Sequence, residues 1–454
     1  MNIIPMPNHK HHIEHSRVLH ILLNRCQVFS LVGRYDRALS DLSRGLTLSG
    51  KLGHKKYQAD YHLEFSDVYN SVSRYEQMLN SAMESHSLYR ELGDKKGQAT
   101  CLNNIGLAHG TQGDYPKALD YFSQALKLEE ENGNRTGQAH SLNNLSFVHY
   151  HRGDYLVALE CYEKALKIEE EFGDRQGQAT SLNNIGLIHG NLGDYSKTLE
   201  YLVKALQIEE EIGDRHCQAP SLNNIGTVYY RSGDYLKALE YFGRSVRISE
   251  EIGNREGTAP SLNNMGSVAV ILDDHSKAHD YYARALKIEE ETGDRQGQAI
   301  SLVNTANVCL KQGKYDEARA CLVRSEKIAE EVGAKFVLRQ VCLFYGELEL
   351  ALKNHTLALE YAERSLQLAG QLNSKAGRAE ALLLQARIEG SDEKFREAIA
   401  VFEAVKQPLD IAKARYYYGL VMGLSDEIKA ARDIFVRLGL KKWVDRIDGD
   451  AVAG

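Results

Sequence analysis

The chain has 454 residues, of which 43% are hydrophobic and 26% charged, and its formal net charge is -7. That balance belongs to folded rather than disordered proteins, and no basic block is present to neutralise a run of phosphates, so nucleic acid is not an expected partner. No run of about 18 apolar residues occurs, which sets aside a membrane span, and seven cysteines without a C-x-x-C pair point to reduced core thiols in a cytoplasmic protein.

Residues 1–16 are polar and carry His9, His11, His12 and His15 where a secretory leader would need an apolar core, so they read as a disordered tail. From residue 17 the sequence aligns with itself at a period of 40 residues. Ser141-Leu142-Asn143-Asn144 returns as Ser181-Leu182-Asn183-Asn184, Ser221-Leu222-Asn223-Asn224 and Ser261-Leu262-Asn263-Asn264. Glycines return in two series, Gly113, Gly153, Gly193 and Gly233 in one and Gly133, Gly173, Gly213 and Gly253 in the other. Such a period marks a repeat array, and two turns per period imply two helices. Ten units start near residues 17, 57, 97, 137, 177, 217, 257, 297, 337 and 377, filling 17–404 with a uniform middle over 97–296. The second unit has Ser73 in place of the turn glycine, and the ninth has Lys353 and His355 where Gly and Tyr are usual. Over 405–454 the spacing shortens to a final helix pair, with Gly419, Ala431 and Phe435 in the expected places, then a cap and tail. Lys441, Lys442, Asp445 and Arg446 are expected to give that cap a polar outer face.

Within the unit from Gly177 to Asp214, Leu182, Ile185, Gly186 and His189 fall at i, i+3, i+4 and i+7, one face of a helix. After Gly193-Asp194 the spacing resumes with Tyr195, Thr198, Leu199, Leu202 and Ala205, which makes an αα-hairpin. Gly106, Gly186, Gly226 and Gly266 in the first helices, and Ala118, Ala158, Ala238 and Ala278 in the second, let the two helices approach. Pro116, Pro220 and Pro260 are expected in first helical turns. Small residues at the eighth, twentieth and twenty-seventh positions of the unit, with an aromatic at the seventeenth, resemble the tetratricopeptide repeat over about nine tenths of the chain. The 40-residue unit with its G-D-R-x-G-Q-A link is similar to the long-helix arrays of Pins-type polarity scaffolds, kinesin light chains and many bacterial regulators. The resemblance implies an all-α, right-handed superhelical solenoid of about eleven antiparallel hairpins whose first helices line a concave groove. It also implies a protein that holds other polypeptides. The closing segment from Ala431 to Asp448 resembles the ends of arrays attached to signalling ATPases and cyclases.

The sharpest functional signal is an asparagine pair inside the first helix, because Asn is a mediocre helix former that apolar packing does not require. The second member recurs as Asn104, Asn144, Asn184, Asn224, Asn264 and Asn304, and the first as Asn103, Asn143, Asn183, Asn223 and Asn263. A carboxamide offers both donor and acceptor and can pair bidentately with a peptide unit whatever its side chains. Repeated at one helical position, it becomes a ladder along the groove. The second series resembles the asparagine ladder of O-GlcNAc transferase, which implies an extended peptide ligand. The competing reading is structural, with each Asn bonding a neighbouring helix. Apolar contacts to the ligand are expected from Phe147 and Leu187, three residues past the ladder.

His109, His149 and His189 replace a packing aromatic on separate hairpins and read as packing residues rather than metal ligands. Runs such as Glu169-Glu170-Glu171, Glu209-Glu210-Glu211 and Glu289-Glu290-Glu291 fall at helix C-termini, where the macrodipole disfavours them. They read as a solvated acidic edge offset by Arg175, Arg215 and Arg295. No P-loop, nucleophile elbow, zinc-protease or kinase motif occurs, so no catalytic, cofactor or metal site is expected. The leading expectation is a non-enzymatic adaptor whose groove holds an extended peptide segment of a partner protein. The alternative is a regulatory sensor arm that binds a peptide or small molecule and controls an associated signalling enzyme.

Overall fold

The computed structural model describes residues 9–453, with side chains from 15 to 449. Among the described residues every regular element is an α-helix, 23 in all. Twenty of them pack in chain order as ten hairpins, from α1 (His9–Leu31) with α2 (Tyr35–Leu52) to α21 (Pro408–Met422) with α22 (Ser425–Arg437); α9 (Arg175–Asn191) and α10 (Tyr195–Ile212) come between the fourth and fifth in sequence, and a single helix follows the last, α23 (Lys441–Ala453). Helix α1 starts inside the segment expected as a disordered tail; residues 1–8, and the side chains of His9, His11 and His12, lie outside the described residues.

The hairpin turns are two or three residues long. After α11 (Arg215–Ser232), Gly233 takes φ +88°, its N–H donates to the Tyr230 carbonyl, and the Asp234 N–H donates to the Tyr229 carbonyl at 2.9 Å. Asp234 Oδ1 then accepts the Lys237 N–H at 3.2 Å, in the first turn of α12 (Tyr235–Glu251). A left-handed glycine thus closes one helix while the aspartate caps the next. Ser73, Asp273 and Lys353 hold the same backbone at φ of 57°, 60° and 63° without glycine's freedom. Between hairpins the glutamine before the linker alanine shares in the capping: Gln218 and Gln298 Nε2 donate to the carbonyls of Glu209 and Glu289 at 2.9 and 3.0 Å, and the Asp214 N–H donates to the same Glu209 carbonyl at 2.9 Å. Those are last-turn carbonyls that the helix itself leaves unpaired.

Inside a hairpin, a Cβ on Gly226 would stand 2.7 Å from the Phe242 ring, and one on Gly266 would stand 2.4 Å from Tyr282. The glycines make room for an aromatic ring from the second helix. Pro116 lies in the first turn of α6 (Tyr115–Glu131) as expected. Pro220 and Pro260 instead lie inside α11 and α13 (Arg255–Ile271). Both are exposed, and the carbonyls left without an intrahelical donor belong to the exposed residues His216 and Glu256, so water can serve them.

The chain forms two compact units, Met1–Ile188 and His189–Gly454, with the boundary inside α9 (Arg175–Asn191). In the first unit α1, α3 (Lys55–Ser71), α5 (Lys95–Thr111) and α7 (Arg135–Arg152) touch in succession. In the second, α11, α13, α15 (Arg295–Lys311), α17 (Lys335–Ala351), α19 (Lys375–Glu389) and α21 do the same. Successive second helices make no comparable contact, so each unit curves towards its first helices, which form its inner face.

In the second unit the curvature brings the end back to the beginning. Leu409, Tyr416, Phe435, Leu440 and Ile447 share one apolar cluster with Tyr235, Phe242 and Val268. Lys406 Nζ donates to the Gly193 carbonyl at 3.0 Å, Leu438 covers Gly233, and Lys442 Nζ meets Asp273 Oδ2 at 2.5 Å. Three successive hairpin turns are thereby held by the C-terminal segment. Lys441, Lys442, Asp445 and Arg446, expected to give the cap a polar outer face, are all exposed, while Lys442 also pairs with Asp273 and Arg446 lies over the rings of Tyr416 and Trp443 at 5.5 and 5.6 Å.

Candidate functional site

Both asparagine series lie on first helices, but in different surroundings. In the first unit, Asn103 Nδ2 donates to Ser141 Oγ at 3.0 Å and Asn103 Oδ1 accepts from Asn144 Nδ2 at 3.1 Å. Asn143 Nδ2 donates to Glu169 Oε1 at 3.0 Å while its Oδ1 accepts from Ser181 Oγ at 3.3 Å. In the second unit, Asn263 Nδ2 donates to Glu289 Oε1 and to Ser301 Oγ, both at 3.0 Å, and Asn223 Oδ1 accepts from Ser261 Oγ at 3.0 Å and Asn264 Nδ2 at 2.9 Å. Ser141, Ser181, Ser261 and Ser301 are therefore each the partner of the first asparagine one hairpin earlier, while Ser221 Oγ donates to Glu209 Oε1 at 2.8 Å. Asn103, Asn143, Asn223 and Asn263, expected to bind a peptide, each have a hydrogen-bond partner on a neighbouring hairpin, and Asn183 is engaged as well.

The second series keeps more of its capacity. Asn104 Nδ2 donates to Asp67 Oδ1 at 2.7 Å, and Asn144 and Asn264 donate to the first-series residues just named. The Oδ1 atoms of these three have no donor among the described residues, and the side chains of Asn184 and Asn304 have no hydrogen-bond partner there; Asn224 is engaged. All six are half-buried. Bidentate pairing is thus available at Asn184 and Asn304, and acceptor-only pairing at Asn104, Asn144 and Asn264. Phe147 is 41% exposed with its ring 4.3 Å from that of His151, and Leu187 is half-buried.

Beneath the ladder lies a row that sequence reasoning missed. Glu129, Glu169, Glu209 and Glu289 are buried, although each opens a glutamate run or stands within one. Burial pushes the Glu289 carboxyl up to about 7 against the lowering pull of Ser301 and Asn263. The Oε2 atoms of Glu169, Glu209 and Glu289 have no hydrogen-bond partner among the described residues, which a neutral carboxyl tolerates better than a carboxylate. The signal was present in the spacing, since these residues follow the buried Ala125, Ala165, Ala205 and Ala285 by four, one helical turn along the packed face.

The other glutamates of these runs are exposed, and several of them are ion-paired. Glu171 meets Arg135 at 2.8 Å and Glu291 meets Arg255 at 2.5 Å, both joining the ends of one hairpin. Glu210 meets Arg244 at 3.1 Å and Glu290 meets Arg324 at 3.6 Å, both joining successive hairpins. The adjacent Arg215 and Arg295, expected to offset the runs beside them, reach forward to Glu251 and Glu331. His109 and His189 stack on Tyr121 and Tyr201 at 5.6 and 5.4 Å, as Tyr229 stacks on Tyr241. Among the described residues no group of three or more His, Cys, Asp or Glu is placed to hold a metal ion, and no helix is long and apolar enough to cross a membrane.

The family model described as "Tetratricopeptide repeat" matches residues 57–131, 137–211, 178–251, 217–291 and 258–331. No curated protein matches the sequence. Among solved structures, the quorum sensor NprR from B. thuringiensis is similar with a TM-score of 0.53 and 16% identity, over 77% of this chain and 98% of that one. Aspartyl phosphate phosphatase F from Bacillus subtilis gives 0.54 and 14%, over 81% and 96%. A signal transduction ATPase with numerous domains and a tetratricopeptide repeat sensor, from Pyrococcus horikoshii, gives 0.55 and 15%, over 70% and 49%. Likeness at this identity shows a shared fold. With the family model spanning more than half of the chain, and with helix hairpins repeating on either side of it, the chain belongs to the tetratricopeptide-repeat family.

Proposed function

We propose that the chain is a non-enzymatic, cytoplasmic protein-interaction scaffold whose first-helix face, in each unit, holds an extended peptide segment of a partner. The observation that carries this reading is the row of uncommitted carboxamide oxygens at one helical position, at Asn104, Asn144 and Asn184 in the first unit and at Asn264 and Asn304 in the second. Such a row accepts peptide N–H groups whatever the side chains they belong to. In the first unit Phe147 and Leu187 add apolar contact beside it. Each backbone bond contributes only about 1 kcal/mol net, so these neighbouring positions must supply the preference for one peptide over another. A second reading, a sensor arm that controls an associated signalling enzyme, is favoured by the closure of the second unit, which offers the array a docked and an undocked state.

Peptides selected from a random library on the unaltered chain supply the probe. Asn184→Ala or Asn304→Ala should weaken the selected peptides roughly 2- to 10-fold with the melting temperature unchanged. Asn263→Ala should do the reverse, lowering the melting temperature while the folded protein keeps its affinity. Unchanged affinity in both ladder variants, or binding that survives N-methylation of the peptide backbone, would overturn the proposal.

A further inference from the structure

The two ends of the array are finished differently. Within it, an apolar residue late in a first helix packs on the second helix of the hairpin before: Val148 shares one cluster with Ala118 and Phe122, and Val308 shares one with Ala278 and Tyr282. At the C-terminal end the corresponding second-helix residues, Ala431 and Phe435, share a cluster with Ile447 and Trp443 of α23, and the rings of Phe435 and Trp443 stack at 4.8 Å. Helix α23 thus takes the place of a further first helix. Among the described residues nothing does the same for α1. Val28 holds the repeat position of Val148 and Val308, both 0% exposed, and is itself 56% exposed. Ile21 holds that of Tyr61, which is 0% exposed and donates its hydroxyl to the Leu19 carbonyl of the preceding hairpin at 2.6 Å; Ile21 is 59% exposed.

This open face is not built to receive another repeat. Where later linkers carry Gln58 and Gln98, whose Nε2 atoms donate to the Ser49 and Tyr89 carbonyls of the helix before, α1 has Val18. Val18, Ile21, Arg25, Val28 and Val32 follow alternating steps of three and four, the spacing by which one helix pairs with another. All five are exposed. The stripe reads alike in both directions about Arg25, so an antiparallel copy of α1 sets Val18 against Val32 and Ile21 against Val28. Arg25 brings no unpaired charge to the centre, because its Nε and Nη2 donate to the buried Asp41 of α2, both at 2.5 Å. We propose that this face of α1 is a dimerisation surface whose occupant is α1 of a second copy of the chain, packed antiparallel across a two-fold axis. Head-to-tail stacking of copies, which would extend the array, is blocked by α23. An exposed apolar stripe of this length reaches the few hundred Å² that mark an association site, and two of them with their flanks come near the roughly 1,200 Å² at which specific interfaces begin. The dimer is therefore a reversible one, and it does not rest on the peptide reading.

Sedimentation equilibrium of the full chain, from submicromolar to high micromolar concentration, tests this, with hydrogen exchange of α1 followed in parallel. The chain should pass reversibly from monomer to dimer, exchange in α1 should slow as the dimer forms, and high salt should not dissociate it, because the contact is apolar. Ile21→Glu and Val28→Glu should each weaken dimerisation about tenfold or more, since a two-fold contact carries each substitution twice. Neither should change the melting temperature of the monomer, in which both side chains are exposed. Leu236→Glu, at an exposed apolar position on α12, should leave dimerisation unchanged. A chain lacking residues 1–8 should dimerise as the parent does. Three results would each overturn the proposal: a monomer at every concentration, a dimer that both Glu variants leave intact, or a monomer that dimerises only once residues 1–8 are removed, which would assign the face to that segment.

Discussion

Lys353 shows how little separates a regular turn from an irregular one. It holds the same left-handed backbone as Gly233, φ 63° against 88°, but an L side chain pays roughly 1–2 kcal/mol for that conformation. Lys353→Gly should therefore stabilise the chain by about 1 kcal/mol in denaturant titration, less whatever entropy the added glycine restores to the unfolded state. Gly266 is the opposite case, since a Cβ there meets the Tyr282 ring at 2.4 Å. Gly266→Ala should lower stability by about 1–3 kcal/mol, with a lower melting temperature. The need for a small residue at 266 was legible in the 40-residue recurrence. The ring that creates the need was not, because sequence spacing does not tell which side chain of the second helix reaches back.

At the scale of the helix, the buried glutamates make the joints between hairpins sensitive to pH. The Glu289 carboxyl, buried between Asn263 and Ser301 with Asp294 and Glu290 nearby, is raised from its ordinary value to about 7 in the folded chain. Between about pH 4.5 and 7 the folded state therefore binds more protons at this group than the unfolded state does, so its contribution to stability falls as pH rises through that window. Glu289→Gln, which keeps the shape and removes the titration, should be nearly neutral at pH 5 and stabilising by about 1–2 kcal/mol at pH 8. Melting curves of variant and parent at both pH values check this, and a difference that does not change with pH would exclude it. Glu129, Glu169 and Glu209 are raised in the same direction by burial, so the effect should repeat along the array. The asparagines divide at this scale too. Both series were legible as a recurrence, but the division of labour depends on Ser141, Ser181, Ser261 and Ser301 arriving from the next hairpin, which periodicity alone does not place.

For the molecule as a whole, the docking of the C-terminal helices is the feature with the largest consequence. Removing α23 takes away Ile447 and Trp443, which pack with Tyr416 and Phe435, and the Lys442 contact to Asp273. Truncation after Leu440 should therefore raise hydrogen exchange in α21, α22 and the turn at Asp273 while leaving the first unit as it was. Equal exchange in the two chains would show that the docking is not held by α23. The array itself was readable from the amino-acid sequence, because each hairpin buries its apolar face against its immediate neighbours and so writes the same spacing every 40 residues. Helix number, turn positions, the inner row of asparagines and the family all follow from that local rule. The closure of the second unit, with Lys442 meeting Asp273 and Lys406 meeting the Gly193 carbonyl, follows instead from curvature summed over several hairpins. Small rotations at each joint decide which distant residues meet, and no residue in a single repeat records that sum.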